Sequence, residues 1–108
     1  MPESFERGAL TEAVFYIMLS LHEPMHGYAI MQNIEKLTDG RVVLGPGTLY
    51  GAITALVEKK WISALSSEGD SRKKEYVITE AGKKVFLGEL DRLRELLRSG
   101  EEIEGGRK

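Results

Sequence analysis

No cysteine occurs in the chain, which excludes disulfides, thiolate metal sites and cysteine nucleophiles. That absence suits a reducing compartment without requiring one. No apolar run approaches the ~18 residues that a membrane-spanning helix needs. The opening MPESFERGAL is acidic and polar where a secretory signal would be basic and then apolar. The expectation is therefore a soluble, cytoplasmic protein with no membrane partner. An excess of positive charge is also missing. The formal net charge is −2, which at first argues against nucleic acid, since Lys and Arg drive phosphate binding.

Catalytic and metal chemistry is equally thin. His22 and His26 stand four apart, but Pro24 between them breaks the helical geometry that such a ligand pair requires. His26 fits better as a cap or packing group at the start of a helix. Gly45-Pro46-Gly47 is glycine-rich without the Lys or the spacing of a phosphate loop. No nucleophile and base are placed together, so an enzyme is the least expected class, and no cofactor or metal is implied.

What is present is enough for one domain, 1–108, at 42% apolar composition. Charge is distributed unevenly. Residues 1–58 hold three basic and seven acidic side chains, and residues 79–108 hold seven of each. Residues 59–78 hold five basic (Lys59, Lys60, Arg72, Lys73, Lys74) against three acidic, concentrating positive charge mid-chain.

Apolar spacing predicts a first helix within 9–22. Leu10, Ala13, Val14, Ile17, Met18 and Leu21 share one face. Phe15, Tyr16 and Leu19 lie opposite, and a helix that is apolar nearly all round needs a second cover, most simply a partner subunit. Pro24 closes this segment. A second helix is expected from His26-Gly27 to Leu37, with Tyr28, Ile30, Met31, Ile34 and Leu37 as apolar members and Asp39-Gly40 as the stop. Arg41 to Leu44 reads as a brief strand or extended connector. A third helix should be capped near Gly47 or Thr48 and run to about Lys60. Trp61–Ser66 and Lys74–Thr79 read as strands of a hairpin turned by Ser67-Glu68-Gly69-Asp70-Ser71. Thr79 is a good N-cap for a last helix over 80–98. Along that helix Phe86, Leu90, Leu93 and Leu97 form a short coiled-coil-like seam, which would complete a dimer core with the first helix. The Gly- and Glu-rich stretch 99–108 is expected to be disordered.

The expected fold class is mainly α (α+β): a winged helix-turn-helix over 26–79 with a two-stranded wing, 61–79, and a C-terminal dimerisation helix. In that arrangement the third helix enters a DNA major groove and the wing touches phosphates. Leu49, Ala52, Ile53, Leu56 and Val57 would face the core. Gly47, Tyr50, Gly51, Thr54, Ala55 and Glu58 would face outward, a small and nearly uncharged surface where Lys, Glu or Gln are usual. Thr48, Tyr50, Gly51 and Thr54 are the candidate groove contacts. Arg72, Lys73 and Lys74 are the candidate phosphate contacts. Lys59 and Lys60 are weaker candidates beside Glu58. The alternative for Tyr50 is packing under the second helix, and for the basic run a solvated surface.

HGYAI at 26–30, GPGTLYGAI at 45–53 and KKEYVITEAGKK at 73–84 together resemble the PadR family of winged-helix repressors. The short length is similar to its compact subfamily with a single C-terminal helix. The family often has proline after the Leu-Tyr pair, where this chain has Gly51, and Gly-Leu where it has Trp61-Ile62. The resemblance implies a DNA-binding homodimer in which the last helix meets the first helix of the partner. It also implies a small aromatic or drug-like effector between those helices, lined here by Phe15, Tyr16, Leu19, Phe86, Leu93 and Leu96, the alternative for the same side chains being a closed dimer core. Two other classes stay open on the residues alone. One is a winged-helix module binding a protein partner through the same apolar stripes, and the other a small-molecule sensor with no direct DNA role.

Overall fold

The computed structural model describes residues 9–65 and 74–106. Helix α1, Glu12–Ser20, is capped by Thr11, whose hydroxyl oxygen accepts the Val14 N–H at 3.1 Å. It buries Ile17, Met18 and Ser20, followed by Leu21. Strand β1, Met25–His26, leads directly into helix α2, Gly27–Leu37. His26 caps α2 by accepting the Ala29 N–H at Nδ1, 3.4 Å away. Of the helix's apolar members Ile30 and Ile34 point inward, whereas Tyr28 and Leu37 are exposed. An Asn33 to Ser20 side-chain hydrogen bond of 2.9 Å ties α2 to α1.

Helix α2 closes with Asp39 and Gly40 at positive φ. Gly40 N–H donates to the Glu35 carbonyl and Asp39 N–H to the Lys36 carbonyl, the paired bonds that satisfy a helix end. Of the strand or extended connector expected at 41–44, no strand forms: Thr38 holds the segment, its hydroxyl oxygen accepting the Val42 N–H at 3.0 Å, and residues 42–45 run as an irregular connector.

Helix α3 runs Pro46–Glu58 with Gly45 as its cap, starting earlier than the Gly47 or Thr48 expected. Pro46 does not break the helix, because at the first helical position its missing N–H would have had no partner. Leu49, Ile53 and Leu56 are buried; Ala52 is half-buried and Val57 is exposed, a correction to its expected core position. Lys60 takes positive φ after the last turn, with Lys60 N–H bonded to Val57 and Trp61 N–H to Leu56.

Strands β2, Ile62–Leu65, and β3, Glu75–Ile78, pair antiparallel in the register Ile62↔Ile78 to Leu65↔Glu75. Strand β3 is central, because β1 pairs with its other edge through Met25↔Tyr76 and His26↔Glu75. A two-residue strand has no periodicity to read and exists only through this pairing. Helix α4 then extends over Glu80–Gly105, not to Arg98, so the stretch expected to be disordered is largely helical. Gly100 weakens a helix by only about 1 kcal/mol and Glu101, Glu102 and Glu104 favour one.

Thr79 organises the start of α4. Its hydroxyl donates to the Lys60 carbonyl at 2.7 Å and accepts the Gly82 N–H at 3.0 Å. Gly82 faces the Trp61 carbonyl so closely that a Cβ there would sit 2.1 Å from it. The core joins Ile17, Met18, Leu21, Ile30, Ile34, Leu49, Ile53, Leu56, Ile62, Ile78 and Phe86 into one cluster spanning α1 to α4. Among the described residues no helix is long and apolar enough to cross a membrane.

Candidate nucleic-acid interface

The 3.6-residue period of α3 divides it cleanly. With Leu49, Ile53 and Leu56 buried, Gly47, Thr48, Tyr50, Gly51, Thr54 and Ala55 are exposed together, and the first acidic side chain on that helix is Glu58, in its last position. A Cβ added at Gly47 or Gly51 would meet nothing within 4 Å. Neither glycine is therefore needed for packing inside the chain. Glycine in a helix interior costs about 0.5–1 kcal/mol relative to alanine, so Gly51 weakens α3 without any gain within the fold. What it leaves is a stretch of helix whose backbone a flat or grooved surface can approach closely.

The hydroxyls on this face are not equally free. Thr54 Oγ1 donates to the Tyr50 carbonyl at 2.9 Å, which leaves its lone pairs as the outward function. Tyr50 is 43% exposed, yet its phenol end lies against Gly27, the first residue of α2. Sequence reasoning listed groove contact and packing as alternatives for Tyr50. It missed Gly27 as the seat of that ring and Tyr28, the next residue of α2 and 61% exposed, as a second exposed aromatic. The available signal was a glycine opening an amphipathic helix directly after a capping His26.

Lys74 is exposed just before β3. Arg72, Lys73 and the turn at 67–71 lie outside the described residues. Lys59 is exposed, its Nζ 5.2 Å from the Trp61 ring centroid, a cation–π arrangement that holds it near the C-terminal end of α3.

The expected dimer and ligand residues separate into two groups. Phe86 is buried within its own chain, stacked on Phe15 with ring centroids 4.8 Å apart, so it is a core residue joining α1 to α4 and not an uncovered seam position. Phe15, Tyr16, Leu19 and Leu90 are half-buried around it. Farther along α4, Leu93, Leu96, Leu97 and Ile103 are exposed. A cleft of about 300 Å³ is lined by Leu10, Glu12, Phe15, Tyr16, Glu89, Arg92 and Leu93. It includes Phe15, Tyr16 and Leu93 of the expected ligand residues, while Leu19, Phe86 and Leu96 are not among its lining groups.

Sequence reasoning also missed the charges of this cleft. Glu89 is 4% exposed, accepts the Leu10 N–H at 3.2 Å, and receives two bonds from Arg92 at 2.8 and 2.6 Å. The Arg92 guanidinium holds its carboxyl below the usual carboxylate range against the opposing effect of burial, and the Leu10 N–H adds to the lowering. Glu12 pairs with Arg41, which connects α1 to the segment leading into α3.

Residues 16–87 match the family model described as the transcriptional regulator PadR-like family. Over 63 residues the chain is 40% identical to an uncharacterized 37.1 kDa protein in a Streptomyces fradiae transposon, covering 58% of this chain and 17% of that protein. Over 57 residues it is 37% identical to the transcriptional regulator YqjI of Escherichia coli, covering 53% of this chain and 27% of that protein. The chain thus matches only about a sixth and about a quarter of those curated relatives. The solved structure of a PadR-like transcription factor from Bacteroides fragilis superposes with a TM-score of 0.72 at 26% identity, covering 94% of this chain and 96% of that one.

Proposed function

The chain belongs to the PadR-like family of transcriptional regulators, and from that premise we propose that it binds operator DNA as a homodimer and represses by occupying a promoter. Helix α3 enters the major groove on the face that carries Thr48, Tyr50, Gly51 and Thr54. Arg72, Lys73 and Lys74 of the wing neutralise flanking phosphates. Two copies of α3 read half-sites about 34–36 Å apart on a pseudo-palindrome. The observation that carries this reading is the exposed, small, uncharged face of α3 with a glycine, Gly51, that the fold itself does not use.

The aliphatic surface left on α4 supports the homodimer. Leu93, Leu96, Leu97 and Ile103 recur on the helix beyond the last buried contact, and apolar patches of that kind mark association surfaces. Phe15, Tyr16, Leu19, Leu90, Leu93 and Leu97 form the proposed interface, with Phe86 supporting it from inside. The cleft between α1 and α4 supports a second element, release by a small aromatic effector, because rings and an ion pair line one concave space.

The test is binding to a duplex carrying the promoter region of the gene itself, measured across a salt series. Affinity should fall steeply as salt rises, and Arg72→Ala combined with Lys73→Ala should weaken binding and flatten the slope. Salt-independent binding unaffected by that double substitution would exclude DNA recognition in this form.

A further inference from the structure

A Cβ on Gly27 would lie 2.0 Å from the Tyr50 hydroxyl oxygen and 2.5 Å from Cζ. The polar end of the Tyr50 side chain, the part able to hydrogen-bond a base, is therefore turned onto the backbone at the start of α2. Gly27 is buried beneath it. The residue before Gly27 is doubly tied: His26 caps α2 through Ala29 and pairs with Glu75 in the central strand. One contact thus links the proposed reading helix to the helix before it and, through His26, to the wing sheet.

We infer that Tyr50 serves DNA binding as a positioning residue, its phenol seated on Gly27 so that α2 and α3 meet the duplex at one fixed angle. This rests on the DNA-binding reading above. A helix-turn-helix works only when the second helix lies in the groove while the first crosses the backbone, so the junction between them sets both contacts at once. Base-edge contact then falls to the hydroxyls of Thr48 and Thr54, with Gly51 letting the helix backbone approach closely. Only glycine leaves room for the ring at position 27. Because the crowded atoms are the far end of a half-exposed side chain, a methyl group there displaces the ring outward without breaking the core.

The experiment compares Tyr50→Phe, Tyr50→Leu, Gly27→Ala and the Gly27→Ala/Tyr50→Leu double variant with the unaltered protein. Binding to the promoter duplex and to a scrambled duplex is measured at one salt concentration for the variants and across a salt series for the unaltered protein, alongside thermal midpoints. Tyr50→Phe keeps the ring and should stay within about threefold of the unaltered affinity, well short of losing a base contact. Gly27→Ala should weaken promoter binding about tenfold with little change in midpoint, and about twofold or less in the Tyr50→Leu background. The inference is overturned if Tyr50→Phe loses about tenfold on the promoter duplex alone, which would make the hydroxyl a base reader. It is equally overturned if Gly27→Ala is harmless, or costs the same in both backgrounds. Should Gly27→Ala fail to fold, the Tyr50→Phe result still decides. Unaltered protein with no salt-dependent binding removes the DNA reading and this inference with it, whereas salt-dependent binding with additive substitutions removes this inference alone.

Discussion

Helices α3 and α4 each bury one face and leave another uncovered, but the uncovered faces are chemically opposite. On α3 the open residues are Gly47, Thr48, Tyr50, Gly51 and Thr54, small or hydroxyl-bearing. On α4 they include Leu93, Leu96, Leu97 and Ile103, large and aliphatic. Aliphatic surface is stabilised by another apolar surface and gains little from a polyanion. A small polar face gains little from hydrophobic association but permits close approach and hydrogen bonding. On the reading proposed above, DNA meets one helix and a second copy of the chain the other, although both helices belong to the same core.

The largest effect that would break this contrast is expected on α4. Leu93→Asp with Leu97→Asp removes two aliphatic contacts and places charge in an apolar contact. This should weaken self-association by roughly 4 kcal/mol or more, about a thousandfold. Sedimentation should then show monomers, while the spectroscopic helix content stays near that of the unaltered protein because both side chains are exposed in the single chain. An undisturbed dimer would move the interface elsewhere. On α3 the corresponding substitution is Gly51→Glu. A carboxylate there has free space, so folding should persist, but it opposes phosphate and should cost about 2–3 kcal/mol of binding, measured by anisotropy titration.

A third prediction concerns the junction of α1 and α4. Because the folded carboxyl of Glu89 is lowered by Arg92, its stabilising effect is complete above the ordinary carboxylate range and is lost as pH falls through the folded value. Glu89→Gln should lower stability near neutral pH by about 1–3 kcal/mol and reduce the acid sensitivity of unfolding, measured by denaturant titration between pH 3 and 7 as a rough window. An unchanged acid profile would remove Glu89 from the account of that junction. The smallest effect has opposite signs on two properties. Gly51→Ala should raise stability by about 0.5–1 kcal/mol while weakening promoter binding several-fold. A parallel change in both would mean that Gly51 serves the fold.

The helices and their inward faces were legible because burial imposes a 3.6-residue period: Ile17 with Leu21, Ile30 with Ile34, and Leu49 with Ile53 and Leu56 all fall in phase. Caps were legible at His26, where a side-chain acceptor directly precedes an apolar run, and at Thr79, where a hydroxyl precedes Glu80 at the start of a helical segment. What sequence could not supply were features made by pairing or local stapling. Strand β1 exists only because Met25 and His26 meet β3, and the 41–44 segment is an irregular connector held where Thr38 reaches Val42. The continuation of α4 through Gly100 was obscured because the Gly- and Glu-rich stretch reads as a disordered end, whereas a glycine in a helix is only a modest penalty. At the candidate site, the exposure of Gly51 and Thr54 followed from helical phase alone. The turn of Tyr50 onto Gly27 did not, because it depends on how two helices meet.

The most direct test of the division between the two helices is an equilibrium titration of the promoter-region duplex, performed over a salt series with unaltered protein and with Gly51→Glu at matched dimer concentration. The expected result is steep salt dependence for the unaltered protein and a loss of about thirtyfold or more for Gly51→Glu, with no change in sedimentation. Equal binding by both proteins, or binding indifferent to salt, would contradict the assignment of α3 to DNA.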